Sequence, residues 1–450
     1  MKTIFKVISM FTIAGFFLAS CEGPLGPAGK DGVDGAAGAN GKDGKDANET
    51  CKECHNPTVV DAVAVQFEFS KHSYGEAAFE EAGNVVCTPC HTQEAFKYVC
   101  KNNVPATFAL NAATGKYSNS YVTIATSALG EITCFTCHSS LHTTFAGTDF
   151  SPLTTKAAVP MSMWKGAKTI NLTQDGGMSN LCVKCHQPRP LTTSSSLSNG
   201  DVVDYASLVS APTTVFYDNA VGNAAPNKLI PSYRTHVHYG GVGAVFAGVG
   251  GIEYAGTQTY ASSTHTTAAS CEDCHMATIA GRSGGHTFTA TGNFNSCNTT
   301  GCHSSAITSS STAFWTGPRN EIKGLLSTLA TKINSLGDGT SKILHTDANA
   351  ETNLWAGKTA ENYDGYLNIY DPSTNPLGAY RNPAPAGSWT VDQKAINTAL
   401  PIFPTLKNVV IGSMINFQLC LREYSLGIHN YKYSKALLQN SIEALTAAGI

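Results

Sequence analysis

The sequence predicts a mainly α-helical protein with much irregular structure, and three observations support this fold class. Apolar residues recur at helical spacing mainly in the last part of the chain, from about residue 317 onward. The preceding region is rich in Gly, Ser, Thr and Ala and has few long periodic runs. Short motifs of cysteine and histidine recur through that region, which indicates a core built around bound groups and completed by C-terminal helices.

The recurring motif is a pair of cysteines followed directly by a histidine. Five copies have two residues between the cysteines, and the last copy has four. The copies are Cys51/Cys54/His55, Cys87/Cys90/His91, Cys134/Cys137/His138, Cys182/Cys185/His186, Cys271/Cys274/His275 and Cys297/Cys302/His303. C-x-x-C-H is the attachment signature of c-type haem, in which the cysteines bond the porphyrin and the histidine binds its iron. The sequence therefore predicts six covalently bound haem c groups, within residues 49–316.

Zinc binding is the main alternative explanation of paired cysteines. The six copies use twelve of the fifteen cysteines, and each pair has its own histidine without a second cysteine pair to complete a four-ligand zinc site. This arrangement favours haem. The spacings between the first cysteines are 36, 47, 48, 89 and 26 residues and share no period, which excludes a solenoid of equal repeats.

Residues 1–20 have the pattern of a lipoprotein signal peptide. Lys2 and Lys6 precede an apolar stretch that is too short to span a membrane, and the stretch ends in Leu-Ala-Ser before Cys21. This ending resembles the bacterial lipobox, so we expect a lipidated Cys21 and a membrane anchor. The alternative is an ordinary leader with a leftover cysteine. An exported, lipid-anchored protein of the bacterial cell envelope is expected, at the outer membrane and either exposed on the surface or facing the periplasm.

Residues 21–48 hold a collagen-like Gly-X-Y segment. From Gly23 to Asp46, eight triplets carry glycine at the first position, which is the periodicity of a collagen triple helix. Only Pro24 and Pro27 supply proline, so we favour a polar spacer over a trimerising stalk. A homo-oligomer or filament remains open as the alternative.

The net charge of the chain and the distribution of its basic residues indicate which kinds of partner it can bind. The formal net charge is −3, and haem propionates would make the surface more acidic. The chain has no basic stripe, so the sequence excludes nucleic acid as a partner.

Two local patterns surround the N-terminal motifs. Residues 63–75 alternate like a short β-strand before and around His72. His142 follows His138 by four residues, and on a helix both rings would lie on one face. We therefore expect His142 to bind the iron of a different haem.

The C-terminal region, residues 317–450, is predicted to be helical and to supply one distal haem ligand. Helices are expected over residues 320–336 and 406–424, and His429 lies at a bend just before a last helix.

Counting histidines gives the candidate distal ligands. Fourteen histidines are present and six belong to the motifs, so eight remain for six distal positions. His345 is set aside first, and His238 is preferred to its neighbour His236. The predicted distal ligands are His72, His142, His238, His265, His286 and His429. Cys100 and Cys420 lie outside the motifs, and they either form a disulfide or are separately buried.

Several segments resemble one family. THVHYGG, SSTHTTAASCEDCHMA, GGHTF and SLGIHNYKYSKALL are similar to segments of the multihaem cytochromes c that include pentahaem nitrite reductase, cytochrome c554 and the octahaem reductases. The resemblance implies that His265, His286 and His429 are distal ligands, and QFEFSKHSYG implies the same for His72. Nitrite reductases of this family usually have lysine after the cysteine pair of the active-site haem, and this sequence contains no C-x-x-C-K.

Two functions are compatible with these patterns. The first is a multihaem cytochrome that passes electrons through closely packed bis-histidine haems between a membrane donor and an external acceptor or other cytochromes, with no catalytic residue. The alternative is a nitrite- or hydroxylamine-type reductase with one open haem, whose pocket His236 or Tyr239 would line.

Overall fold

A computed structural model describes the chain in segments. The described residues are 57–73, 87–102, 108–111, 116–119, 130–138, 156–164, 166–189, 191, 203–218, 235–299, 301–303, 306–336, 343–346, 363–367 and 405–450. All of them belong to one unit, Glu53–Ile450. The predicted signal peptide, Cys21, the Gly-X-Y segment, the first haem motif (Cys51, Cys54 and His55) and His142 lie outside the described residues.

The described part is largely helical, with little strand. Its α-helices are α1 (Pro57–Glu68), α2 (Thr88–His91), α3 (Gln93–Asn102), α4 (Cys134–Cys137), α5 (Ser179–Val183), α6 (Tyr205–Ser210), α7 (Val242–Ala247), α8 (Thr264–Ala268), α9 (Cys271–His275), α10 (Gly317–Asn334), α11 (Asn408–Arg422) and α12 (Tyr431–Ala447). A 3₁₀ turn spans Gly285–Thr287, and a π-helical turn, Thr312–Thr316, leads into α10.

The strands form four antiparallel pairs. They are β1 (Phe108–Asn111) with β2 (Lys116–Asn119), β3 (Val159–Pro160) with β4 (Thr169–Ile170), β5 (Val215–Asp218) with β8 (Thr405–Lys407), and β6 (Leu344–Thr346) with β7 (Tyr363–Leu367). Pairs this small are not stable alone. Strands β5, β7 and β8 contact α11, β6 contacts α10, and β4 contacts α7.

Helices α10, α11 and α12 pack on one another around the main apolar cluster. Every residue of α11 is buried, which fits its sequence because apolar side chains occur on all of its faces. The predicted C-terminal helices are therefore present, and His429 lies just before α12, whose N-cap is Asn430.

Buried polar residues of α11 fix the chain segment 235–254, which carries His238. Asn416 accepts a hydrogen bond from the amide of Ile252 and donates one to its carbonyl, at 2.8 and 2.7 Å. Gln418 accepts a hydrogen bond from the amide of Val237 and donates one to the carbonyl of Thr235, at 3.1 Å each. These bonds satisfy buried backbone groups and attach the segment to the central helix.

The strand expected before His72 is wrong, because residues 63–68 belong to α1 and residues 69–73 form turns. Val60, Val63, Ala64 and Phe67 also recur at helical spacing, and a short apolar run fits both periods. A proline at the start of α1 further favours a helix, since its missing N–H is not needed there.

Helix α4 ends at Cys137, and His138 is extended, with φ −96° and ψ 144°. Because His142 lies outside the described residues, its expected role at a different haem stays a prediction.

Within the described residues, no helix combines the length and the apolar character that crossing a membrane requires.

Candidate metal centres

The four described motifs with two residues between their cysteines share a compact local geometry. In three of them, the amide of the histidine donates to the carbonyl of the first cysteine, at 3.0 to 3.2 Å for His91, His138 and His186. The fourth is helix α9 itself, Cys271–His275. A single helical turn therefore brings both cysteines and the histidine together. Capping residues fix two of these turns: Thr133 begins α4, and Ser270 with Asp273 begins α9.

The sixth motif, with four residues between its cysteines, departs from this geometry at Cys302. The amide of Cys302 donates to the carbonyl of Thr299 at 3.2 Å, so Cys302 lies in a short turn that does not include Cys297. Cys302 is exposed, and its thiol accepts a hydrogen bond from the Thr299 hydroxyl at 3.3 Å. The two additional residues between the cysteines allow this separate turn.

Cys302 and Cys134 are exposed, whereas the other cysteines of the described motifs are buried or half-buried. Attachment of haem through Cys302 stays a prediction.

Each described motif histidine faces one predicted distal histidine. We number the sites by motif: site two pairs His91 with His238, site three His138 with His286, site four His186 with His72, site five His275 with His429, and site six His303 with His265. The ring centroids of the five pairs lie 6.0 to 6.3 Å apart. Two imidazoles on opposite sides of one metal ion, each with its nitrogen about 2.0 Å from the metal, would have centroids about 6 Å apart.

The pairs join residues that are distant in sequence. His72 of α1's C-terminal turn faces His186, and His265 of α8 faces His303, which follows the sixth cysteine pair. His238 faces His91 and His236 does not; His236 instead contacts Arg422, at 2.5 Å between Nδ1 and Nη1. His345 bonds to Asp364, at 2.6 Å. These two histidines are therefore engaged outside the five pairs.

Hydrogen bonds orient several of the facing rings. Nδ1 of His238, His265 and His275 lies 2.9, 2.7 and 2.8 Å from the carbonyl oxygens of Tyr239, Ile428 and Phe288, respectively. The ring of His186 bonds to the backbone of Gly240. A proton on Nδ1 leaves Nε2 unprotonated, which is how metal-binding histidines are usually held.

The surroundings favour the neutral form of several of these imidazoles, whereas the pKa of His429 is raised despite its burial by the hydrogen bond and charge of Glu423. Burial lowers the pKa of His72, His275 and His286 below the ordinary value, and burial followed by the charge of Arg189 lowers the pKa of His238 to about 4. Neutral imidazole is the form that binds a metal. Burial by the surrounding protein lowers the pKa of His186 to about 4.

Cysteines of different motifs lie against each other. The thiols of Cys182 and Cys271 interact by a hydrogen bond, as do those of Cys90 and Cys185. The first bond raises the pKa of Cys182 and lowers that of Cys271 to about 7. A backbone contact supports this proximity, because the amide of Cys271 donates to Ser179 Oγ at 3.0 Å.

Two more contacts extend this arrangement. Ser296 bonds to both Cys274 and Cys297, which belong to sites five and six. Cys137 of site three and Cys185 of site four both pack against the apolar cluster of Phe96, Cys100 and Leu181. Sites six, five and four are therefore consecutive neighbours, and sites two and three both adjoin site four.

Cys100 and Cys420 do not form the disulfide that the sequence left open. Both thiols are free and buried, and they belong to separate apolar clusters. Burial raises the pKa of Cys100 to about 12 and that of Cys420 well above its ordinary value. The alternative of two separately buried cysteines is the one observed.

The donor set suits a metal that already has other ligands. Within the described ranges, no cluster of three or more His, Cys, Asp or Glu side chains could hold a metal ion by itself. A porphyrin supplies four nitrogens to its iron, so two facing histidines complete that coordination. The paired histidines and the cysteines beside them fit bound haem.

Sequence reasoning missed two residues at these sites. Glu423 contacts His429 through Nδ1, at 2.5 Å, and Phe288 contacts the ligands of three sites. The signal for Phe288 was its position two residues after His286. Nothing in the sequence distinguished Glu423 from other acidic residues at helix ends.

Comparison of the chain with protein-family models, with curated proteins and with solved structures finds no match.

Proposed function

We propose that this chain is a six-haem c-type cytochrome that transfers electrons at or outside the bacterial cell surface. The observation that carries the proposal is that five motif histidines each face a second histidine at 6.0 to 6.3 Å. A histidine on each side of an iron leaves no position for a substrate, so the arrangement favours electron transfer over catalysis. When bound, a haem iron takes up and releases one electron.

The contacts between sites support transfer within the chain. Cysteines of sites four and five touch, and so do cysteines of sites two and four. Ser296 joins sites five and six. Each described site therefore has at least one immediate neighbour, and an electron could cross this part of the protein in short steps.

The proposal extends to partners and location through the N-terminal sequence. Lipidated Cys21 would anchor the chain, and the Gly-X-Y spacer would hold the haem region away from the lipid. The partners would be a membrane electron donor and an external acceptor or further cytochromes. The spacer also leaves assembly into a homo-oligomer or filament as part of the proposal.

The alternative is a nitrite- or hydroxylamine-type reductase, which needs one iron with an open position. Sites two to six each have a facing histidine, so the open iron would have to be that of the first motif, with His55. His55 and the remaining predicted distal ligand, His142, lie outside the described residues. If His142 or another histidine binds that iron, every iron has two histidine ligands.

The test is the mass of the intact protein together with its electron paramagnetic resonance spectrum. Six covalent haems should add six haem masses, and the oxidised protein should show only low-spin ferric signals that nitrite leaves unchanged. Disulfides between the touching cysteines would instead lower the mass by two hydrogens each. Four or fewer attached haems would overturn the haem count, and a high-spin signal removed by nitrite would favour the reductase.

A further inference from the structure

Glu423 is a buried carboxylate bonded to a candidate iron ligand. It follows α11 directly and is 1% exposed. Its Oε2 lies 2.5 Å from Nδ1 of His429, the facing histidine of site five. Both oxygens of the side chain accept hydrogen bonds, as the carboxylate form does. Glu423 is therefore a carboxylate anion.

The turn after α11 surrounds this anion with hydrogen-bond donors. The amides of Ser425 and Gly427 donate to Oε1 at 3.1 and 3.0 Å, and the Ser425 hydroxyl donates to Oε2 at 2.5 Å. The backbone adopts left-handed conformations to do so, with φ of 62° at Tyr424 and 55° at Leu426. Non-glycine residues rarely adopt this conformation, so the turn is specifically shaped around the carboxylate.

The partner of His429 differs in charge from the other partners. Among the five candidate ligands whose ring hydrogen bonds the structure describes, four bond to neutral backbone groups, at Tyr239, Gly240, Phe288 and Ile428. His429 alone among these five bonds to a carboxylate. Arg319 of α10 is an opposing charge on another element that interacts electrostatically with Glu423.

A carboxylate behind a ligand imidazole favours the oxidised iron. The hydrogen bond gives the imidazole more negative character and makes it a stronger donor. The anion also stabilises the ferric state, which carries one more positive charge than the ferrous state. Both effects lower the reduction potential of the iron.

We propose that Glu423 lowers the reduction potential of site five below the potentials of its neighbours, sites four and six. This inference rests on the proposed function. Site five lies between site six and the group formed by sites two, three and four. Electrons would therefore occupy site six on one side and sites two, three and four on the other, and they would occupy site five only briefly while passing between them. Glu423 would in this way separate the described sites into two groups that store electrons.

The test is a spectroelectrochemical titration of the six-haem protein and of two variants. Glu423→Gln keeps the size of the side chain and removes its charge, so one of the six midpoint potentials should shift upward and five should stay. Ser425→Ala removes a donor that partly neutralises the carboxylate, so the same midpoint should shift downward. Opposite shifts of one midpoint are the expected result.

Glu253→Gln is the matched control. Glu253 is also a partly buried carboxylate, but it contacts Lys168 and Tyr433 and no candidate ligand. It should leave all six midpoints in place. Unchanged midpoints in both the Glu423 and Ser425 variants of a protein that carries its haems would overturn this inference alone. Absence of haem from the unmodified protein would instead overturn the proposed function.

Discussion

The ring of Phe288 packs edge-on against the ring of His72, with centroids 4.9 Å apart. Its centroid also lies 5.8 Å from that of His286, and its carbonyl oxygen lies 2.8 Å from Nδ1 of His275. One residue therefore contacts candidate ligands of sites four, three and five. Phe288 has φ of 53°, a conformation that is costly for a bulky side chain. The position is held by its surroundings, and it links the orientation of three ligands.

Replacing Phe288 by glycine should separate its two roles. Glycine tolerates φ of 53°, so the bond to His275 should persist while the contacts with His72 and His286 are lost. Two of the six low-spin signals in the electron paramagnetic resonance spectrum should change, and the signal of site five should not. Site five can be identified by the midpoint that Glu423→Gln moves.

Phe288→Leu is the control for packing. It keeps much of the buried volume and the same backbone, so it should alter the same two signals less than glycine does. A glycine variant in which the site five signal changes as much as the other two would show that the ring and the carbonyl do not act separately.

Within the described residues, each motif histidine and each predicted distal histidine belongs to one of the five pairs. That these histidines bind iron stays a prediction. The pairing itself was not predictable, because His72 and His186 are joined only by the tertiary fold. Each cysteine motif is recognised within five or seven consecutive residues. The pairing depends instead on how α1, the 3₁₀ turn and the chain around residue 238 pack together.

The sequence prediction of secondary structure was wrong where one pattern of apolar residues fits both a strand and a helix. The run around Val63 has both strand and helix periodicity, and tertiary contact decides between them: Gln66 of α1 accepts a hydrogen bond from the amide of His286 at 3.0 Å. The contact between Glu423 and His429 could not be predicted from the sequence either, because it depends on the left-handed turn that follows Glu423. The exposure of Cys302 was not predictable either, because the motif is recognised by spacing and not by burial. The long C-terminal helices were predictable because their periodic pattern extends over several turns.

Asn416 should be important for stability. It is fully buried and bonds to both backbone groups of Ile252 and to Ser441. Asn416→Ala would leave two buried backbone groups without partners, at a cost of about 2–4 kcal/mol in the free energy of unfolding. Guanidinium unfolding of the haem-loaded protein measures this loss.

Ser441→Ala is the matched control for Asn416. It removes one bond of the same side chain but leaves Ile252 paired, so the loss should be below about 1.5 kcal/mol. Equal losses in the two variants would mean that the bonds to Ile252 do not carry the effect.

Cys21→Ser should release the protein from membranes, since the Leu-Ala-Ser-Cys ending predicts that this cysteine carries the lipid. Fractionation of cells that express each form measures the change. Ser20→Thr is a conservative change next to the same site and should leave most of the protein in the membrane fraction. A Cys21→Ser protein that stays bound would require another anchor.

The last prediction distinguishes the two neighbouring histidines of the THVHYGG segment. His238 faces His91 with 6.1 Å between the ring centroids, whereas His236 contacts Arg422. His238→Ala should therefore remove one iron ligand and convert one of six low-spin ferric signals to high spin. Carbon monoxide or nitrite should then bind at that one site.

His236→Ala should keep all six signals low spin, because the contact with Arg422 does not involve an iron. The buried Arg422 guanidinium would still bond to the carbonyls of Asp364 and Val237. A high-spin signal in the His236 variant and none in the His238 variant would reverse the assignment of site two. It would also place His236, with the adjoining Tyr239, at a haem and so revive the reductase as the function of this chain.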